Sequence, residues 1–447
     1  MPTATETARG IVAIPSNRQT MLAAMASLFG WGLDLFDLFI LLYVAPIVGK
    51  LFFPAEKPML SLAGAYASFA VTLLIRPLGS ALFGSYADRK GRRKAMMVAV
   101  TGVGISTAVF GLLPSVAQIG WTASGLFLAF RLIQGIFVGG VVASSHTIGT
   151  ESVPERWRGL MSGAVGGGGS AVGGLLASLV FFIVTLIAPG DAFAAWGWRL
   201  MFFSGLITSV IGVLLFRNLE ESPLFQALAA KKTMKKVAVP AERSPIATLF
   251  SAQFRPIFFV NVLMTLGAGA GYYLTSGYLP TILNLVSHTP NHVSSLILIG
   301  ANLAAAVGAV LLGELSQHVG RKKVFLVSAL LRVIGFPLLF LGMASADSLT
   351  TLTLYVLALS FLANGSYGPL LIFLNERFPT ALRATGTGLS WNVGFAIGGM
   401  MPTLVSLFSV GTAGLPMTLA IFSAVFSVIY LIGSLIIPET KGNLQRG

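Results

Sequence analysis

Glu151-Ser-Val-Pro-Glu-Arg-Trp-Arg158 and Glu376-Arg-Phe-Pro-Thr-Ala-Leu-Arg383 spell one pattern, Glu-x-x-Pro-x-x-x-Arg, at two places half the chain apart. Upstream of each copy lies a second matched pair. Gly84-Ser-Tyr-Ala-Asp88-Arg-Lys-Gly-Arg-Arg-Lys94 aligns with Gly313-Glu-Leu-Ser-Gln317-His-Val-Gly-Arg-Lys-Lys323. Downstream, Leu219-Glu-Glu-Ser-Pro223 is echoed by Pro438-Glu-Thr-Lys-Gly442. Three charged features recurring in the same order say that the chain is built twice.

What separates these charged islands is apolar. The 447 residues are 55% hydrophobic and 10% charged, with a mean hydropathy of +0.85, which places the chain in a bilayer. Crossing about 30 Å of hydrocarbon takes roughly 20 helical residues. Twelve stretches qualify: 21–49, 60–86, 95–114, 123–149, 159–187, 198–216, 257–286, 292–316, 322–343, 349–375, 386–409 and 414–437. They divide the chain into an N-terminal six-helix half (1–216), a basic linker (217–256) and a C-terminal six-helix half (257–447). The expected fold is an all-α membrane protein of twelve transmembrane helices in two pseudo-symmetric halves.

Of the 29 Lys and Arg, all but Lys50, Lys57, Arg76, Arg131, Arg199 and Arg332 fall on one face of this topology. Basic residues accumulate in short cytoplasmic loops, so both termini are expected in the cytoplasm. The net charge of +14 is then a product of topology and anionic lipid rather than the mark of a nucleic-acid partner. The chain has no cysteine, which excludes disulfides, thiolate metal sites and cysteine nucleophiles. His288 and His292 share a metal-like spacing but lie in a loop with no acid beside them. No metal or cofactor is expected, and no nucleophile, base and metal constellation suggests an enzyme.

The Gly84 to Lys94 segment, the run Arg131-Leu-Ile-Gln-Gly135 and the glycine-rich fifth span together resemble the major facilitator superfamily, over essentially the whole chain. Leu33-Asp-Leu-Phe-Asp-Leu-Phe39, Arg76-Pro-Leu-Gly79 and Tyr272-Tyr-Leu-Thr-Ser-Gly-Tyr-Leu-Pro280 are similar to its metabolite:proton symporters. The sialate and lactate:proton symporters share the style of Gly30-Trp-Gly-Leu-Asp-Leu-Phe-Asp37. The resemblance implies a bacterial inner-membrane carrier, a monomer, that moves a small organic anion with protons by alternating access. Two departures stand out. Val141 follows Gly139-Gly140 where metabolite symporters carry an acid, and Gln317 replaces the acid found at Asp88 in the first loop copy.

The residues themselves nominate the site. Asp34 and Asp37 lie inside a span, where a carboxylate is expensive unless protonated, paired or wetted, and their spacing puts them on one helical face. They are the expected proton carriers. Arg131, at similar depth in the fourth span, is their expected partner; in the related sugar:proton porters such a pair separates on protonation. Arg76, near the midplane of the second span, is the expected contact for a substrate carboxylate. Tyr272, Tyr273, Asn364, Tyr367, Trp391 and Asn392 are candidates to complete the pocket. The loops suggest a gate formed by Asp88, Arg92, Glu151 and Arg158 in one half and Glu376 and Arg383 in the other. Arg332 reads as a peripheral or snorkelling residue, and Arg199 as an interface anchor beside Trp196 and Trp198. A proton-independent exchanger or uniporter, or a carrier of a zwitterion or sugar, is the alternative.

Overall fold

The computed structural model describes residues 17–90, 92–151, 155–217 and 245–443, and among these there is no strand. Twelve helices are long and apolar enough to cross a membrane. In the first half they are α1 (Leu28–Phe52), α2 (Pro58–Phe83), α3 (Lys94–Leu112), α4 (Thr122–Gly140), α5 (Arg158–Ile187) and α6 (Phe193–Leu214). In the second they are α7 (Arg255–Leu285), α8 (Asn291–Val319), α9 (Arg321–Ala344), α10 (Leu349–Glu376), α11 (Thr385–Phe408) and α12 (Leu415–Ile436). The expected linker falls largely outside the described residues.

Nine of these spans match those expected from hydropathy to within three residues; α1 starts seven residues later, α4 ends nine earlier, and α6 starts five earlier. α6 begins at Phe193 because a π-helical turn, Phe193–Gly197, carries the helix backwards through Trp196. Trp198 is therefore buried among Phe52 and Phe202 instead of anchoring at an interface. Arg199 donates from Nη1 to the carbonyls of Gly111 and Leu113, 2.6 and 3.0 Å away, and so closes the C-terminal end of α3, whose last carbonyls have no helical partner.

The packing repeats as the sequence does. In the first half α1 lies on α5, α2 on α4 and α3 on α6; in the second α7 lies on α11, α8 on α10 and α9 on α12. The halves meet along two further symmetric seams, α5 against α8 and α2 against α11. Small residues make the first seam close, as membrane helices require when lipid offers no hydrophobic contrast. A Cβ on Gly159 would sit 2.6 Å from the Gly313 carbonyl oxygen, and one on Gly163 would overlap the Ala309 carbonyl. The outer surface is the opposite: Leu303, Val307, Leu311 and Leu315 form an exposed stripe along α8, one helical turn apart and suited to lipid.

Candidate functional site

Between the halves lies a cavity lined by Trp31 and Leu35 of α1, Leu73 and Arg76 of α2, Tyr272 and Tyr273 of α7, Tyr367 of α10, and Trp391, Asn392, Phe395 and Ala396 of α11. Six of these side chains are aromatic. Trp391 and Phe395, one turn apart on α11, stack with centroids 4.4 Å apart and planes 5° from parallel. Trp31 meets Trp391 edge-on at 5.9 Å, and Tyr272 lies 5.2 Å from Tyr273 and 5.9 Å from Tyr367. The rings are fixed from behind by α5. Its π-helical segment Gly163–Gly168 offers the Gly166 carbonyl to both Trp31 Nε1 at 3.0 Å and the Tyr367 hydroxyl at 2.9 Å. π-Turns inside α-helices recur at functional sites because they free or redirect backbone groups in this way.

Arg76 is the charged group in the wall. Its Nη1 lies 3.4 Å from Asp34 Oδ2, both side chains almost wholly buried. Its Nε and Nη2 have no hydrogen-bond partner among the described residues. Those two N–H groups form one edge of the guanidinium, the edge that matches a carboxylate with two parallel bonds.

Arg131, expected to pair with an aspartate, does not form an ion pair among the described residues. Its guanidinium sits over the rings of Phe110 and Phe127, 4.3 and 5.3 Å from their centroids, and Nη1 donates to Gln134 Oε1 at 2.7 Å. Gln134 Nε2 donates to Thr107 Oγ1 at 2.7 Å, and the Thr107 side chain faces Asp37. The arginine thus reaches Asp37 through two relaying side chains, while the direct partner of the aspartate pair is Arg76.

Five of the six uncharged pocket candidates line the cavity. Asn364 does not: its Nδ2 donates to Ser276 Oγ and the Ser360 carbonyl, both 3.2 Å away, and its Oδ1 accepts from Ser170 Oγ at 3.3 Å, so it supports the rings from behind. Trp31, Leu35, Leu73, Phe395 and Ala396 were not expected in the wall. For Trp31 and Phe395 a signal existed, since each lies one helical turn from another wall residue, Leu35 and Trp391. Arg332 is neither peripheral nor snorkelling; it is 1% exposed, donates to the Gly267 carbonyl at 2.7 Å and to Ser366 Oγ at 3.3 Å, and lies over the Tyr430 ring.

The cavity is closed at both ends. Towards the end carrying the basic loops, Ser162 of α5 donates to the Gly368 carbonyl at 2.8 Å and accepts from the Ile372 amide at 3.0 Å. At the far end Tyr66 of α2 stacks on Tyr278 of α7 at 4.9 Å, and its hydroxyl bonds Thr281 Oγ1 at 2.8 Å. Of the expected gate, the side chains of Asp88, Arg92 and Glu151 lie outside the described residues. In the second half Glu376 pairs with Arg321 at 3.3 Å and accepts from Thr440 Oγ1 at 2.9 Å, while Arg321 also donates to Gln317 Oε1 at 2.7 Å. Gln317 therefore keeps a place in the network despite its lost charge. Arg383 Nε donates to the Asn375 carbonyl at 3.1 Å. Arg158 lies beside Gly159, where α5 meets α8. The repeated Pro438-Glu-Thr segment has a purpose here: Glu439 accepts from the backbone amides of Arg321 and Lys322 at 2.9 and 3.1 Å, capping the N-terminus of α9. Partial burial opposes ionisation of Glu439, but the amides of Lys441, Arg321, Lys322 and Thr440 outweigh it and hold the carboxyl below its ordinary value.

A family model described as sugar (and other) transporter matches residues 22–444. The glycine betaine/proline/ectoine/pipecolic acid transporter OusA of Dickeya dadantii is 30% identical over 95% of this chain and 84% of its own length. The proline/betaine transporter of Escherichia coli K12 is 30% identical over 99% of this chain and 88% of its own, and the inner membrane metabolite transport protein YhjE of the same organism 30% identical over 93% and 94%. Among solved structures, a partially occluded inward-open form of the Escherichia coli xylose transporter XylE superposes with a TM-score of 0.72 at 19% identity, over 95% of this chain and 99% of that one.

Proposed function

The chain belongs to the sugar (and other) transporter family of the major facilitator superfamily, an integral membrane transporter and not an enzyme, and from that premise we propose that it is a proton-coupled symporter of a small zwitterion that carries a carboxylate and a quaternary or secondary ammonium group. The organic anion expected from the sequence gives way to a zwitterion for two reasons. Relatives are named for betaine and proline, and the cavity pairs one arginine edge with a box of aromatic rings. An aromatic box holds a quaternary ammonium by cation–π attraction, and a bare carboxylate has no use for it.

The observation that carries the coupling is the position of Arg76, which lines the cavity and pairs with Asp34 while its Nε and Nη2 remain unpartnered. Protonation of Asp34 removes the competing charge and frees Arg76 to hold the substrate carboxylate. Proton and solute thereby favour each other's binding, and the linkage is reciprocal. With the basic end in the cytoplasm of a bacterial inner membrane, the two six-helix halves rock about this site. Opening the Tyr66 seam admits both ligands, and opening the Ser162 seam releases the solute. Arg131, Gln134 and Thr107 hold Asp37 in place beside the pair.

The test is electrical. A zwitterion moving with a proton carries one positive charge, whereas a monoanion with a proton carries none. Liposomes bearing the protein and an internal pH dye are given glycine betaine, proline or a monocarboxylate in turn. Internal acidification with an inward current on adding betaine or proline is expected. Acidification without current, evoked by the monocarboxylate alone, would restore the anion reading, and uptake without acidification would remove proton coupling.

A further inference from the structure

We propose that the proton leaves the aspartate pair for the basic end through the cleft between α1, α3 and α6, by a path separate from the cavity that holds the solute. Asp34 and Asp37 line a second, narrow cavity, whose walls include Val100 and Gly104 of α3 and Thr208 and Ser209 of α6. No described residue lines both spaces. α1 presents a different face to each, Trp31 and Leu35 to the aromatic box and Asp34 and Asp37 to the cleft, as a helix of 3.6 residues per turn allows. The cleft extends toward the basic end. Val100 lies near the start of α3 and Ser209 near the finish of α6, and both of those helix ends adjoin the basic loops.

The chemistry of the cleft suits a proton and excludes the solute. Among the described residues the charged or titratable groups facing the pair are Arg76 from α2, Arg131 from α4 and Tyr273 from α7, while α3 and α6 present the hydroxyls of Thr107, Thr208 and Ser209, of which Thr208 donates to the Gly205 carbonyl at 2.9 Å and Ser209 to the Val100 carbonyl at 3.2 Å. A hydroxyl accepts and donates in turn, as a relay requires. Both oxygens of Asp34 and Oδ1 of Asp37 are buried without a hydrogen-bond donor among the described residues, which leaves acceptor positions for water or a proton. The cleft is narrow: a Cβ on Gly104 would overlap the Ser209 Cβ and stand 2.5 Å from the Gly205 carbonyl oxygen. Helices that close leave room for water and none for a betaine.

This inference rests on proton coupling at the aspartates, and the experiment separates the two. Because the chain has no cysteine, Ser209→Cys carries a unique thiol. The variant is reconstituted, labelled with methyl methanethiosulfonate, and the labelling checked by mass. Two activities are then compared: glycine betaine exchange, which cycles only the loaded carrier and needs no deprotonation, and accumulation driven by a pH gradient. Labelling is expected to leave exchange intact and to reduce accumulation to the level seen with a protonophore. Thr208→Val combined with Ser209→Ala, which removes both hydroxyls at little change in size, is expected to give the same split. Loss of both activities together, full labelling without effect, or a thiol that resists the reagent would each overturn the separate path. An unmodified protein that shows no proton-driven accumulation would overturn the coupling and the path with it, whereas a coupled wild type with a coupled labelled variant sinks the path alone.

Discussion

Replacing Asp34 by Asn removes the charge that competes for Arg76 and leaves a side chain of the same shape. Charges 3.4 Å apart attract by roughly 5 kcal/mol at an effective dielectric near 20, an upper bound. Desolvation of the pair cancels part of this, so the linkage passed to the substrate should fall in the usual range for coupled sites, about 1–3 kcal/mol, or roughly 5- to 150-fold in affinity. In the wild type that gain appears only when the aspartate is protonated, and affinity therefore falls as pH rises. Asp34→Asn should bind at every pH with the affinity the wild type reaches in acid, exchange substrate, and fail to accumulate it against a gradient. Trp31 and Trp391 line the cavity, so intrinsic fluorescence titrated with glycine betaine over a pH series reads the affinity, and counterflow in liposomes reads exchange. A variant that binds more weakly than the wild type in neutral buffer, or that still concentrates substrate, would refute competition for Arg76.

Three further outcomes follow from the same geometry. Trp391→Leu removes a face of the box and should weaken betaine binding by about 0.5–2 kcal/mol, the range of a cation–π contact, with little effect on a monocarboxylate; an equal loss for both ligands would count against ammonium recognition. Gln134→Leu cuts the chain from Arg131 to Thr107 and strands two buried polar groups at roughly 1–3 kcal/mol, so the detergent-solubilised Tm and pH-driven accumulation should both fall while betaine affinity holds. Undiminished accumulation would show that Asp37 does not need the relay. Glu439, held below its ordinary value by backbone amides, stabilises the cap of α9 above that ordinary value, and the contribution is lost as pH falls through the depressed one. A melting series in detergent should accordingly show Glu439→Gln less stable than wild type near neutrality, with the difference shrinking in acid; a difference that grows in acid would reverse the assignment.

Helix number, internal repeat and the depth of the ionisable residues were legible because each is a one-dimensional property of the chain. Asp34, Asp37 and Arg76 announced themselves as charges inside apolar runs, and the structure brings Arg76 and Asp34 together. Which arginine pairs with which acid was not legible, since it depends on how α2 and α4 are rotated about their axes. Depth and the resemblance to the sugar:proton porters nominated Arg131, but rotation turns it onto Phe110 and Gln134. Arg332 shows the same limit: its position in α9 reads equally well as lipid-facing or internal, and only the neighbouring Gly267 and Tyr430 decide it. Trp198 was misread because a π-turn extends α6 beyond the point where hydropathy alone would start it.

On the proposed symport, the four charged residues of α1, α2 and α4 around the site explain why a zwitterion and a proton make a workable pair. Asp34, Asp37, Arg76 and Arg131 sum to zero when all are ionised, so the empty carrier crosses between its two open forms without net charge at the site. A bound zwitterion leaves that sum unchanged, and the proton alone makes the loaded site positive. The membrane potential then acts on the loaded step and not on the return. It favours entry by about 2.3 kcal/mol for each 100 mV, roughly a 50-fold gain in accumulation. A monoanion would cancel the proton's charge and forfeit this drive, leaving the pH gradient as the only source of work. Raising the inside-negative potential at fixed pH should therefore increase betaine accumulation steeply and leave betaine exchange unchanged in extent, because exchange returns every charge it moves. If accumulation does not respond to voltage, either the substrate carries a compensating negative charge or one of the four groups is not ionised in the empty carrier.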